Sequence, residues 1–401
     1  LSRSRDRGRA GPYVDLPAPE AHAAAVSRRL ASLIAGEIDD ADGALAFERY
    51  MELSLYAPGL GYYSAGLRKF GSSGDFVTAP ELTPLFGRCL ARACHAVLQR
   101  LDGGEILEFG AGSGALAAEL LSELERLGRL PGRYLILERS GDLRERQREL
   151  LARRVPDLAA RVQWLDALPA TGFNGIALGN EVLDAMPVRR FCWTGAGVEE
   201  FFVTCRDHRF AWLLRPAEDP RLVDYVESLA ARYDLPPGYV SEVNLSLQPW
   251  VRSVSERVAA GLLLLIDYGY PRREYYHPQR DGGTLMCHYR HRVHDDPLIL
   301  TGLQDITAHV DFTAVVEAGC AAGLQLEGFA TQAHFLLDCG LEEIMAGMMT
   351  EAERANLELA SQAKTLLMPG EMGERFKCVG LSRELEGPVP GFRGRDLRGR
   401  L

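Results

Sequence analysis

The sequence predicts an α/β protein built on a doubly wound, mostly parallel sheet. Two observations carry that expectation. From Glu105 onward, short apolar runs of strand length alternate with amphipathic helical stretches. Those runs are apolar along their whole length, as strands covered on both faces are. Right-handed crossovers then put helices on both faces of the sheet and a ligand at the carboxyl ends of its strands.

The elements follow in chain order. Residues 1–19 read as a disordered leader; their arginines also suit a transit-peptide remnant, which Asp6 and the lack of an apolar stripe weaken. Residues 20–101 read as a helical extension with a lid loop. Asp42 is placed as the cap of a helix whose Phe47, Tyr50, Met51 and Ser54 form an i, i+3, i+4, i+7 stripe. Pro58-Gly59 ends it. The loop from Phe70 to Glu81 is dense in Gly, Ser, Thr and acid, which suits either a surface turn or a lid over a polar ligand. A helix is expected from Pro84 to Leu101.

Residues 102–193 form the first part of the sheet domain, with strands at Ile106–Phe109, Tyr134–Glu138, Val162–Leu165 and Gly175–Leu178. Helices run from Ala115 to Leu127 and to Arg154, the second a solvated face of interleaved Arg, Asp and Glu. An inserted α+β segment at 194–254 follows. Short strands at Arg190–Trp193, Glu199–Thr204 and Phe210–Leu214 and helices near Leu222–Arg232 and Trp250–Ala260 mark this region. Residues 255–386 complete the domain, with a fifth strand at Leu262–Ile266, helices at Phe312–Gly323 and Leu341–Met349, and a late strand at Arg375–Ser382. Residues 387–401, rich in Gly, Pro and Arg, read as a flexible tail.

Composition excludes several classes. The 401 residues are 47% hydrophobic and 25% charged, with a net charge of −10. That balance gives no global basic field for nucleic acid. No apolar run approaches the ~20 residues that span a bilayer. Eight scattered cysteines, none in a C-x-x-C pair, argue against a zinc ribbon or a disulfide framework. They suit a reducing compartment: the cytoplasm for a bacterial chain, the mitochondrial matrix for a eukaryotic one. A Ser-His-Asp hydrolase lacks its G-x-S-x-G elbow.

The loop Glu108-Phe-Gly110-Ala-Gly112-Ser-Gly114-Ala115 joins the first strand to its helix. Glycines there allow tight backbone and close approach of a ligand to the helix amino end. The spacing also satisfies the dinucleotide pattern. Glu108 favours S-adenosyl-L-methionine (SAM) instead, because a carboxylate there balances its ammonium and would repel a pyrophosphate. Glu138, at the end of the second strand, can accept the ribose hydroxyls of either cofactor. Asp166 and Ala167 fall where an adenine would be bracketed.

Several stretches together resemble one family. They are Phe76–Glu81 with Phe86-Gly87, Glu108–Gly114, Gly179-Asn-Glu-Val-Leu-Asp-Ala-Met-Pro187, Ile266-Asp-Tyr-Gly269 and Gly302–Phe312. From about residue 40 to 385 the chain resembles the MidA family of SAM-dependent methyltransferases, relatives of a mitochondrial complex I assembly factor. The resemblance implies a class I, Rossmann-like, seven-stranded fold, SAM as donor with S-adenosyl-L-homocysteine (SAH) as product, and arginine on a protein partner as acceptor. For the eukaryotic member it implies a complex I subunit. The resemblance also favours Gly74, Asp75 and Thr78 as a lid over the cofactor.

Methyl transfer is an in-line displacement that needs alignment and exclusion of water. An arginine acceptor also calls for carboxylates that grip a planar cation. Asn180-Glu181-x-x-Asp184 follows the fourth strand, so Glu181 is expected to hold the guanidinium with Asp184 in support, while helix capping is the plainer role for both. Tyr268 is expected to line the acceptor channel. His309 and Asp311 could orient one another or contact the acceptor, a buried polar network being the plainer role. His288, His291 and His294 at i, i+3, i+6 would scatter around a helix, so no metal site is assigned. A SAM-binding assembly factor with little turnover and a nicotinamide oxidoreductase are the alternatives. Oligomeric state, dimer included, is left open.

Overall fold

The computed structural model describes residues 16–66 and 78–401. Its centre is a twisted sheet of strands β1 (Glu105–Phe109), β2 (Tyr134–Leu137), β3 (Val162–Leu165), β4 (Phe173–Asn180), β5 (Val258–Tyr270), β6 (Gln325–Thr331) and β7 (Phe376–Arg383). They lie in the order β3-β2-β1-β4-β5-β7-β6. Strands β1 to β5 pair in parallel, and β7 runs antiparallel to both β5 and β6. The strand order reverses beside β1, so the crevice above β1 and β4 is where such a sheet holds a ligand.

Both faces are covered. One buries Leu262, Leu264 and Ile266 against the helices Pro84–Arg100 and Ala115–Arg126. The other buries Leu263 and Leu265 against Leu247–Ser255 and Phe312–Ala321. Alternate residues of β5 thus feed two cores, which explains a run apolar at every position from Leu262 to Ile266. Two glycines let the strands start together. A Cβ on Gly175 would lie 1.9 Å from the Glu105 carbonyl oxygen, and one on Gly261 would lie 1.8 Å from that of Gly175.

Beside this sheet stands a second, antiparallel one of Arg189–Trp193, Val198–Arg206, Arg209–Pro216 and Tyr239–Val243. It begins before residue 194, where the sequence places the insertion. It also takes Leu45–Ala46 of the N-terminal extension as an edge strand against Val203 and Phe202. That pairing holds the chain extended up to Ala46, which is why Asp42 caps nothing. Asp42 sits in a turn at φ 52°, and the helix starts at Phe47 after Ala46. Its stripe of Phe47, Tyr50, Met51 and Ser54 is buried as expected.

Other expectations need correction. The helix expected to reach Ala260 stops at Ser255, because Val258 already pairs with Phe173 in the sheet. His288 and His294 belong to a hairpin rather than a helix, with Arg290 and His291 at φ 47° and 59° in its two-residue turn. Among the described residues no cluster of three or more ligand-type side chains could hold a metal. The tail is docked: Val389 and Phe392 are buried, and Phe392 packs over the bare backbones of Gly328 and Gly380 beside Phe335. Among the described residues no helix is long and apolar enough to cross a membrane.

Candidate active site

A cavity of about 1330 Å³ opens at the carboxyl ends of β1, β2, β4 and β5. That exceeds the ~300–1000 Å³ of a typical small-molecule pocket, so it has room for a cofactor and part of an acceptor. The residues lining it fall into two groups.

On the cofactor side, Gly110, Gly112 and Gly114 turn at φ 59°, 55° and 88°, left-handed geometry that bulkier residues resist. Gly114 caps the helix Ala115–Arg126, whose first residues, Ala115 and Leu116, line the cavity. A Cβ on Gly110 would press on Val182 at 3.0 Å, so that position has little space for a side chain. Glu108 is buried and accepts the Tyr134 hydroxyl on Oε2 at 2.7 Å. Burial pushes its carboxyl up to about 7, against the opposing pull of that hydrogen bond. Glu138 accepts the Ser140 N–H at 2.8 Å and faces Gln147 Nε2 at 3.5 Å, with its carboxyl also raised by burial. Gln147 Nε2 donates to the Gly112 carbonyl at 3.0 Å, tying the second acid to the glycine loop.

Asp166 and Ala167 are not among the residues lining the cavity. The Asp166 side chain is 87% exposed and receives Arg144 Nη2 at 2.6 Å. Arg139, Ser140 and Leu143 form the wall there instead. Thr78 lines the cavity and leads the turn Ala79–Leu82, whose Glu81 accepts the Ser113 hydroxyl. Gly74 and Asp75 lie outside the described residues.

On the far side the structure gathers Asn180, Glu181, Asp184 and Tyr268, all expected, with Tyr56, Tyr63, Asp305 and His309. Glu181 adopts φ 54°, a strained conformation for a residue with a side chain. Its carboxylate accepts Asn180 Nδ2 at 3.1 Å and the Ala79 N–H. Burial, then the neighbouring Asp184, push its pKa up to about 8. Burial raises Asp184 to about 6, opposed by a hydrogen bond from the Tyr268 hydroxyl. Among the described residues no lysine or arginine forms an ion pair with either acid, nor does one figure among the causes of their shifts.

Aromatic rings complete that side. The Tyr56 and Tyr63 rings stack at 5.5 Å, with their hydroxyls donated to the Ala185 carbonyl at 2.8 Å and to Asp305 at 2.9 Å. Tyr268 stands edge-on to His309 at 5.3 Å and Phe376 at 5.4 Å. His309 is driven down to about 4 by burial and by Arg280 and Lys377, so its imidazole is neutral at pH 7. Asp311 turns away, capping the helix Phe312–Ala321 and pairing with Arg272 at 2.8 Å. Sequence reading missed Tyr56, Tyr63, Asp305 and Gln147. The first three stand far from the fourth strand in sequence, and Gln147 sits within a charged helix. Only the Gly302–Phe312 stretch, already singled out, gave a signal for one of them.

A seven-stranded sheet with its last strand reversed, a glycine loop after β1 and a buried acid ending β2 define a class I SAM-dependent methyltransferase. The chain belongs to the MidA-like S-adenosyl-L-methionine-dependent methyltransferases, whose family model, Methyltransf_28, matches residues 89–330. It is similar to a COG1565 superfamily methyl transferase from Burkholderia thailandensis solved with S-adenosyl-homocysteine, at 45% identity and a TM-score of 0.92. That match covers 96% of this chain and 100% of the other. It is also similar to the mitochondrial protein arginine methyltransferase NDUFAF7 of Mus musculus, at 28% identity over 84% of this chain and 81% of that one. The Caenorhabditis elegans homolog is 26% identical over 84% and 83%. SAM is therefore the cofactor. The left-handed glycine loop and the buried acids of the cofactor side fit it.

Proposed function

We propose that this methyltransferase modifies arginine on a protein partner, with Glu181 gripping the guanidinium and Asp184 supporting it. The observation that carries this reading is a pair of carboxylates at the end of β4, Asp184 buried and Glu181 partly so, with no cationic partner among the described residues. Such a pair is costly until a cation or protons neutralise it. A planar guanidinium supplies the charge and offers paired N–H donors to the acids. Tyr56, Tyr63 and Tyr268 provide ring faces of the kind that attract cations.

Bound SAM supplies an electrophilic methyl group. Glu108 and Glu138, with Gly110, Gly112 and Gly114, would hold its amino-acid and ribose ends, while Thr78 and its neighbours help exclude water. Glu181 and Asp184 orient the attacking nitrogen. The proton lost as the new C–N bond forms goes to one of these carboxylates. The arginine-methyltransferase names of the mitochondrial relatives support the choice of acceptor. By the same resemblance we take a respiratory complex I subunit as the candidate partner, met in the bacterial cytoplasm or the mitochondrial matrix.

The test is to incubate the protein with methyl-labelled SAM and cell extract, then hydrolyse and look for label in methylarginines. E181Q should bind SAH as the wild type does and transfer about 100-fold more slowly, the usual cost of losing one preorganised electrostatic group. Transfer at the wild-type rate by E181Q would remove Glu181 from the mechanism.

A further inference from the structure

Behind the acceptor side of the cavity lies an acid that the mechanism above does not use. Asp267, on β5, is fully buried and does not line the cavity. Its Oδ2 accepts three successive backbone N–H groups, from Val182 at 3.1 Å, Leu183 at 2.9 Å and Asp184 at 3.3 Å. Its Oδ1 accepts the Tyr268 N–H at 2.9 Å. Consecutive N–H groups converge on one carboxylate oxygen where the backbone curls in a nest or a turn. Glu181, at φ 54°, immediately precedes the three donors, and its left-handed turn leads the chain into that curl.

We propose that Asp267 is the positioning residue of the acceptor site: its carboxylate curls the loop 180–184 so that Glu181 and Asp184 face the cavity together. This rests on the reading that those two acids bind the acceptor. It reaches past that reading, because Asp267 touches neither acceptor nor cofactor in it. The β4–β5 pairing fixes the distance, since Asn180 is in register with Ile266 and the Glu181 N–H donates to the Ile266 carbonyl at 2.9 Å. Asp267 therefore follows the last paired residue of β5 just as Glu181 follows that of β4.

The same carboxylate also acts through its charge. The groups facing this corner are Glu181 and Asp184 from the loop, Tyr268 from β5, Asp305 from the strand Asp305–Thr307, and Tyr56 and Tyr63 from the N-terminal extension. His309 stands beyond the Tyr268 ring. Lys377 is opposite Asp267 in register on β7, but its ammonium turns to the carbonyls of Glu374 and Arg375. Burial and the neighbouring Asp184 hold the Asp267 carboxyl well above the usual carboxylate range, opposed by the N–H groups of Leu183 and Tyr268, and where it is ionised it adds negative charge to a corner already negative. It makes protons and cations bind more readily at Glu181 and Asp184.

The test uses three proteins, wild type, D267N and E181Q, each saturated with SAH and titrated calorimetrically with agmatine as a guanidinium probe from pH 6 to 9. Backbone amide exchange of 180–184 is followed in parallel. D267N should keep its SAH affinity within about twofold and lose at least tenfold in agmatine affinity. Its midpoint for agmatine uptake should move to lower pH, because the loop acids lose a negative neighbour. Purely structural support would leave that midpoint in place. The amides of 182–184 should lose protection. If E181Q loses agmatine while D267N matches the wild type in affinity, midpoint and exchange, the inference about Asp267 fails and the arginine reading stands. If agmatine binding ignores E181Q, the arginine reading fails. Exchange then decides alone: unchanged protection in D267N overturns the positioning role, and lost protection upholds it for whatever acceptor Glu181 serves.

Discussion

Tyr134 donates its hydroxyl to Glu108 across neighbouring strands at 2.7 Å, both residues being buried within the sheet. The bond leaves Glu108 poised near neutrality: burial lifts its pKa to about 7, and the phenol holds it from rising further. Only the ionised form attracts the ammonium of the cofactor. SAH affinity should therefore fall as the pH drops from 8 to 6. Tyr134→Phe removes a bond to the charged form, so the midpoint should move upward. Calorimetry across that range in both proteins checks it, and a midpoint that stays put or moves down in the variant contradicts the assignment.

One acid from each side of the cavity makes a separate statement about stability. Glu108 and Glu181 bind their protons more tightly folded than unfolded, at about 7 and about 8. Their contribution to folding is full below the ordinary carboxylate range and is lost as the pH rises through those values. The ligand-free protein should melt at a lower temperature at pH 8.5 than at pH 6. Glu181→Gln, which has no proton to lose there, should show a smaller fall. An equal fall in both would mean that Glu181 is ionised throughout.

Asp166 and Gln147, neither of which lines the cavity, differ in what they touch. Asp166 is held outward by Arg144, whereas Gln147 bridges Gly112 and Glu138 and accepts Trp164 Nε1 at 2.8 Å. Asp166→Ala should leave SAH affinity within about twofold. Gln147→Ala should weaken it about tenfold, since buried hydrogen bonds contribute roughly 0.5–1.5 kcal/mol each. Fluorescence or calorimetric titration of the two variants side by side decides it, and the reverse ranking would restore the bracketing role of Asp166.

What the chain disclosed before folding was whatever depends on local pattern. The apolar runs of β1, β2, β4 and β5 and the glycine turn are set by neighbours in sequence, so the sheet and the cavity-lining positions of Glu108 and Glu138 could be read directly. The cavity-lining positions of Glu181 and Asp184 were legible because they follow a strand end in a fold whose sites lie at strand ends. Tyr56 and Asp305 were not, because they reach the cavity only when the N-terminal helix and the hairpin region fold over it. The stretch Ile266–Gly269 was singled out, but the turn of N–H groups on Asp267 depends on a β4–β5 register that no single sequence displays. The His288–His294 stretch failed for a related reason: one spacing admits a helix or a hairpin, and strand pairing with Asp305–Thr307 selects the second.

The tail offers the sharpest contrast between composition and packing. Its Gly, Pro and Arg content suggests fraying, yet Phe392 is buried over two glycines of adjacent strands. The Gly391 and Arg393 N–H groups both donate to Asp338, at 2.6 and 3.0 Å. Those bonds fix the chain on either side of the ring, and Phe335 meets it at 5.2 Å. Phe392→Ala would leave the notch open and should cost about 3 kcal/mol, the low end for a buried phenylalanine because one side meets solvent. Gly380→Ala should also destabilise, since its Cβ would lie 2.5 Å from the ring. Denaturant unfolding of both variants measures these costs. A chain ending at residue 386 that unfolds at the wild-type midpoint would show that the tail contributes nothing to the fold.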